Sequence, residues 1–227
     1  MQPALTPMET KTPSLDYYSR VRSDVLPLIE RRPDQRVLEV GCGSGQTISY
    51  LKKNGYASYV AGIEKVEACR EDPGPAIDRF ITADVETFDF SVVGKFDCIL
   101  LLDVLEHLYE PYALIRRLVP LLSHSGYMLV SIPNIRNWGV LKRLVFKGRW
   151  DYTDKGILDR THIRFFTKKT FLSAMDRECP SFRLLEYREN MENNPGFLSR
   201  FFFLREFFVC QHVFKLGLKQ NKAPDGT

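Results

Sequence analysis

At 227 residues, 44% of them hydrophobic and 26% charged, the chain has the size and composition of one globular domain with a full core. No run approaches the ~20 uninterrupted apolar residues of a membrane-crossing helix, and the opening MQPALTPMETKTPSLD lacks the apolar stretch of an export signal, so residues 1–15 are expected to be a flexible leader. The net charge of +4 is uneven, with −4 over residues 1–134 and +8 over 135–227, which favours an anionic partner near the C-terminal part.

RVLEVG (36–41) reads as a buried strand, and 46–54 as a helix with Gly55 at its stop. SYVAGIE (58–64) is a second strand, and RFITAD (79–84), after the turn-rich DPGP, a third. FDCILLLD (96–103) is continuously apolar, as a central parallel strand should be. EPYALIRRLVPLLS (110–123) has helical spacing, with Pro120 perturbing its last turn, and YMLVSIPN (127–134) is a fifth strand. Residues 135–165 read as an insertion, 166–179 as a helix and FRLLEYRE (182–189) as a sixth strand; VCQHVFKLGL closes the chain as a last strand. Strands alternating with helices predict an α/β fold, doubly wound about a mainly parallel sheet with right-handed crossovers. The domain is expected over 16–218, followed by a tail at 219–227.

The five cysteines are odd in number, scattered and never form CxxC, which argues against a disulfide framework and for a reducing cytosol. The histidines at 107, 124, 162 and 212 show no metal-ligand spacing to one another or to cysteine, so no metal is expected.

The stretch VLEVGCGSG (37–45) places an acid, Glu39, inside an apolar run and then a glycine at every second position. A glycine turn at the carboxyl edge of a parallel sheet is where doubly wound folds bind ligands. Gly41 permits an unusual backbone angle, Gly43 a close approach to the main chain, and Gly45 tight packing of the next helix, whose free N–H groups suit an anion. Tight turns use glycine too, but acids also end the next two strands. Glu64 stands about 20 residues on, where a carboxylate meets ribose hydroxyls, and Asp84 is placed to accept from an adenine amino group.

VLEVGCGSG, GIE, ADVE and FDCILLLDVLEHL, in that order, resemble the class I S-adenosylmethionine-dependent methyltransferases, in the branch of ubiquinone O-methyltransferases and small polysaccharide-associated methyltransferases. The resemblance covers about 14–215 and implies a seven-stranded Rossmann-like sheet whose last strand is antiparallel, with a cap inserted after strand five. It implies S-adenosyl-L-methionine as cofactor, its methionine part lined by the backbone of Gly41, Cys42 and Gly43. Glu39 would orient the loop or meet the cofactor's ammonium, Glu64 would hold both ribose hydroxyls, and Asp84, with the Val85 N–H beside it, the adenine. Leu102 would contact the cofactor by backbone, with Asp103 adjacent. In DYYSRVR (16–22), Tyr18 or Arg22 would cover the amino-acid end.

A hydroxyl acceptor must lose its proton, and a well-placed base speeds such a step roughly 100- to 10,000-fold. His107, just past the fourth strand, and His162, after the insertion, are the candidates; equally, the LEH at 105–107 is a structural turn bonded to backbone. Asp159, Arg160 and Arg164 flank His162, to bind substrate or to pair with one another. The insertion resembles the cap of the polysaccharide-associated branch, and Trp138, Trp150 and Tyr152 would stack on a sugar or ring, or pack the cap onto the sheet. Arg136, Lys142, Arg143, Lys147 and Arg149 interleave with Leu141, Leu144, Val145 and Phe146 as a basic amphipathic segment. The aromatic run FLSRFFFLREFF (197–208) packs as core under the last strand or, with the basic segment, permits a peripheral membrane contact and a lipid-linked acceptor, which would put a cytoplasmic protein at the inner membrane surface.

Rival readings are a nicotinamide oxidoreductase and a non-catalytic methyltransferase-like regulatory module. Against the first, position 46 is Gln where the dinucleotide fingerprint has glycine, and no Tyr-x-x-x-Lys occurs. A nucleic-acid acceptor lacks support, because strand four continues as LDVLEH where base-amino methyltransferases carry an NPPY-type tetrapeptide. The expectation is O-methylation of a small-molecule, glycan or lipid-linked acceptor.

Overall fold

The computed structural model describes residues 20–70, 74, 76–191 and 202–219. The expected leader, Tyr18 and the start of the aromatic run, 197–201, lie outside them. Seven strands form one sheet in the order β3-β2-β1-β4-β5-β7-β6. They are β1 Arg36–Val40, β2 Tyr59–Glu64, β3 Arg79–Thr82, β4 Phe96–Leu102, β5 Leu122–Pro133, β6 Phe182–Met191 and β7 Val209–Leu218. β1 to β5 pair in parallel, and β7 enters antiparallel between β5 and β6. The alternation of strand and helix thus yields the doubly wound sheet, and VCQHVFKLGL is its antiparallel member.

Along the central strands successive side chains enter two buried layers in turn. Leu38, Val40, Ile99 and Leu101 feed one apolar layer, while Val37, Cys98, Leu100 and Leu102 feed the other. α1 (Gln46–Lys53) covers the second layer with Ile48 and Leu51. α2 (Pro111–Leu118) and α4 (Lys168–Glu178) cover the first, through Leu114, Ile115, Leu118, Phe171 and Met175. Each such side chain, removed from water, contributes about 1.5–3 kcal/mol. The glycine turn therefore rests on a sheet packed from both sides.

The largest departure from expectation is local. α2 stops at Leu118, and a 3-10 turn at Val119–Leu121 takes over at Pro120, whose ring excludes a helical partner. β5 consequently begins at Leu122, five residues earlier than its apolar run suggests, with an irregular register against β4 between Phe96 and Cys98. The insertion contains one helix, α3 (Trp138–Lys147), capped by the Asn137 side chain and closed by Gly148 in the left-handed conformation. A short helix, α5 (Phe202–Arg205), and a 3-10 turn at Glu206–Phe208 lead into β7.

Candidate active site

β1 runs directly into the glycine turn, where Gly41, Gly43 and Gly45 all have positive φ (71°, 54° and 71°). Alternating left-handed residues bend the chain sharply at the carboxyl edge of the sheet. At Gly41 there is also no room, since a Cβ would stand 2.6 Å from Val104 Cγ2. The turn is pinned to the neighbouring strand, as the N–H groups of Gly41 and Cys42 both donate to the Ile63 carbonyl (2.7 and 3.1 Å). Cys42 turns its thiol down towards β2, into the space left by Gly62, where a Cβ would lie 2.5 Å from Sγ. Burial, with Glu39 and Glu64 nearby, pushes that thiol's pKa well up, so it is a packing group. Gly62 went unread in the sequence because a lone strand glycine does not reveal which neighbour needs its space.

Glu39 and Glu64 end neighbouring strands but stand differently. Glu39 is 3% exposed, and burial raises its carboxyl to about 8 although Arg22 and a hydrogen bond from the Ile48 backbone oppose the shift. Its Oε2 is buried with no hydrogen-bond partner. The carboxyl thus ties the strand to the start of α1 and keeps one oxygen unsatisfied beneath the turn. Glu64 is satisfied by backbone: Gly43 N–H donates to Oε2 (2.9 Å), and the Lys65 and Val66 N–H groups donate to Oε1 (2.8 and 2.9 Å). Of about four acceptor positions on a carboxylate, three are taken. Asp84 lies just past β3, with Oδ2 2.7 Å from Lys65 Nζ and Oδ1 accepting from Glu86 N–H. Those two hydrogen bonds, Lys65 first, hold its pKa below the usual value. Val85 beside it is buried.

At the end of β4, Leu102 is buried and Asp103 has φ 60°, the one positive-φ residue other than glycine among those described. Asp103 is held on both oxygens. Arg22 Nη1 donates to Oδ2 (2.5 Å), and Ser131 Oγ and Gln211 Nε2 donate to Oδ1 (3.0 and 2.7 Å). Arg22 also forms a fork with Asp24 and reaches Ser131 and Gln211. The N-terminal segment is thereby clamped over the edge of β4, β5 and β7. Gln211 was invisible as a site residue, since nothing along the chain connects the last strand to residue 103.

The LEH turn, a 3-10 turn over Leu105–His107, faces the insertion. Ile163 and Arg164 N–H groups both donate to the Glu106 carbonyl (2.9 and 3.0 Å), so the insertion is stitched to the turn. His107 Nδ1 lies 3.2 Å from the Thr161 carbonyl, and His162 Nδ1 lies 3.0 Å from that of Ile157. The two imidazoles meet edge to face with centroids 4.7 Å apart. Burial keeps the His162 pKa below its ordinary value. The Glu106 side chain is buried with neither carboxyl oxygen hydrogen-bonded, and His162 Nε2 is 3.9 Å from Oε1. Spacing along the chain shows no metal-ligand pattern, yet folding brings one donor atom from each of Glu106, His107 and His162 within 4.8 Å of one another. His162 comes from 55 residues downstream, beyond the reach of spacing rules. Nearby, Asp159 accepts from Thr161, and Arg160 pairs with Asp154.

The aromatics of the insertion mostly touch other aromatics. Trp138 meets Phe146 and Phe207, and Trp150 meets Phe165, all edge to face.

A family model described as a methyltransferase domain matches residues 15–178. Among curated proteins, the chain is 31% identical over 108 residues to a ubiquinone biosynthesis O-methyltransferase of Marinobacter nauticus, covering 44% of each chain. It is 28% identical over 146 residues to the trans-aconitate 2-methyltransferase of Escherichia coli, covering 61% of this chain and 55% of that one. The matches thus span about half the length of these relatives. Among solved structures, an S-adenosylmethionine-dependent methyltransferase from Archaeoglobus fulgidus superposes with a TM-score of 0.62 at 16% identity, over 91% of this chain and 95% of that one. The plantazolicin methyltransferase BpumL, solved with SAH, gives 0.57 at 17% identity over 90% and 81%. At those identities the likeness is one of fold.

Proposed function

The chain belongs to the methyltransferase-domain family of class I S-adenosylmethionine-dependent enzymes, and from that premise we propose that it methylates a hydroxyl of a small-molecule, glycan or lipid-linked acceptor. The observation that carries the cofactor assignment to these residues is the buried, unpartnered Oε2 of Glu39 under three left-handed glycines. An unpaired buried carboxylate costs several kcal/mol, which is why the ligand-free fold keeps Glu39 protonated up to about pH 8; a ligand ammonium would let it ionise and pair. When bound, S-adenosylmethionine supplies a methyl carbon made electrophilic by its sulfonium.

The chain's own residues bind and align. Gly41, Cys42 and Gly43 offer main chain without bulk, with Gly45 capping the start of α1. Glu64 has one acceptor position left, so holding both ribose hydroxyls would require it to release an amide, and Gly43 N–H is the one that belongs to the turn itself. Asp84, beside Val85, would give up Lys65 to accept from the adenine amino group. Leu102 would contact the cofactor by backbone, with the Arg22-clamped Asp103 adjacent. Alignment of this kind is worth about 7–11 kcal/mol for well-oriented reactants. His107, on the turn that follows β4, and His162, near the end of the insertion that would select the acceptor, are the two candidates to act on the acceptor hydroxyl, since their rings meet edge to face.

Calorimetry with S-adenosylmethionine and S-adenosylhomocysteine tests the binding half, and label transfer from methyl-labelled cofactor to a hydroxyl panel tests the rest. One-to-one binding with label in an oxygen-linked methyl is expected. Folded protein with no response to either nucleoside overturns the reading; binding without transfer to any acceptor would favour the non-catalytic module.

One further observation favours a surface contact. α3 exposes Val145 and Phe146, at 68% and 73%, beside Lys142 and Lys147. Apolar and basic side chains together suit an anionic lipid surface, and we propose that the protein meets its acceptor there, on the cytoplasmic face. No helix among the described residues is long and apolar enough to cross a membrane. Sedimentation with anionic vesicles should carry the wild type down and leave Val145→Ser/Phe146→Ser in solution; failure of the wild type to pellet removes this proposal.

A further inference from the structure

We propose that the free edge of β6 is an interface between two copies of this chain, joined strand to strand in antiparallel about a two-fold axis at Tyr187. The interface is independent of the methyl-transfer reading.

β6 ends the sheet and is bonded to β7 on one side only. Among the described residues no strand takes its other side, so N–H and C=O groups along Phe182–Met191 are left to water or to another chain. Ten residues make a long edge, roughly twice the usual strand, and none of them is a proline. The strand also exposes two adjacent leucines, Leu184 and Leu185, at 43% and 45%. By contrast β3, at the opposite edge, has four residues, and its Phe80 and Ile81 are half-buried. One edge is thus short and covered, the other long and open.

Charge decides the occupant and the register. Glu186 and Arg188 are exposed, and neither pairs with another charge among the described residues. Past the irregularity between Leu184 and Glu186, the ladder with β7 runs regularly to Asn190, so Glu186 and Arg188 lie on one face of the sheet. In an antiparallel copy centred on Tyr187, each Glu186 stands opposite an Arg188, which makes two cross-strand pairs of opposite charge on that face. Centred on Arg188, the same strand sets arginine against arginine; centred on Glu186, glutamate against glutamate. A parallel copy in register repeats both faults. An edge of one sign repels a second copy, whereas this edge is self-complementary, as a two-fold contact requires. The register also brings Leu184 and Leu185 beside Asn190 and Glu189 of the second copy, whose strand takes them out of water. Asn190 Nδ2 donates to Asp24 Oδ2 (2.5 Å), so the paired strand ends on the Arg22 clamp.

The test is equilibrium sedimentation of the full chain over a range of concentrations. Wild type should approach twice the chain mass. Glu186→Arg and Arg188→Glu each put like charges face to face, and each should weaken association at least about tenfold. An equimolar mixture of the two variants should associate as wild type does, because each supplies the sign the other lacks. Both sites are exposed, and circular dichroism checks that the variants fold. Should either fail to fold, hydrogen exchange on wild type decides: amides of residues 184–190 should slow as concentration rises. A wild type that stays monomeric overturns the proposal, as does β6 exchange that ignores concentration. A dimer formed equally well by both single variants, or a mixture no better than its parts, places the contact elsewhere and overturns it too.

Discussion

Glu39 shows how one buried atom couples stability to the ligand. Its carboxyl is raised to about 8 because burial outweighs the Arg22 guanidinium, which Asp24 and Asp103 already occupy. A folded pKa above the unfolded value of 4.5 means that the native state holds the extra proton between those two values. Its contribution is fully present below about pH 4.5, falls as pH rises towards 8, and is lost above that, by an amount of a few kcal/mol. Glu39→Gln should remove this slope, so that the ligand-free variant outlasts wild type at pH 8 in urea while matching it near pH 5. The same variant should bind S-adenosylmethionine at least tenfold more weakly, because the amide gives the ammonium no charge partner. A wild-type stability that is flat from pH 5 to 8 relative to the variant would refute the burial argument.

At the level of elements, the sequence was most readable where one period dominates. β1, β4 and β7 carry side chains buried on both faces, and the expected runs match them closely, β7 residue for residue. Reading failed where two signals collided. LVPLL has the apolar spacing of a helix, but Pro120 ended it and the next residues joined the sheet. Gly62 is a subtler case, for its role exists only through Cys42 on the adjoining turn. Gly62 carries no positive-φ requirement, so its constraint is volume alone. Gly62→Ala should therefore cost about 1–3 kcal/mol by overpacking. Cys42→Ala in the same chain should return much of it by emptying the space where Sγ lies. Chemical denaturation of the two single variants and the double variant measures the coupling. Simple additivity would show that the strain passes to Ile48, whose Cδ1 stands 3.2 Å from the same point.

Across the whole molecule, the site depends on both ends of the chain, and this was the least legible feature. The acids and glycines lie between residues 39 and 84, where motif order and spacing identify them, but the clamp over them is assembled from residues 22, 24, 103, 131 and 211. Lys215 of β7 adds a second tie, pairing with Glu30 at 2.9 Å above the Tyr127 ring. Contacts across such separations follow from the sheet order, which puts β7 beside β5. Arg22→Met would keep the apolar stem and remove the charge, leaving Asp24 and Asp103 to face each other. Arg22 and Asp103 keep 20% and 25% side-chain exposure, so solvent screening moderates the loss to about 1–3 kcal/mol. Adding Asp103→Asn should recover part of it, because asparagine tolerates the left-handed backbone at φ 60° and still bonds Ser131 and Gln211. The clamp also makes a spatial prediction. In Arg22→Met, limited proteolysis should first cut ahead of β1, with the sheet intact by circular dichroism, and the double variant should resist that cut longer. First cleavage elsewhere, or no coupling between the two substitutions, would mean that the N-terminal segment is held by the apolar contacts of Val25, Leu28 and Ile29 alone.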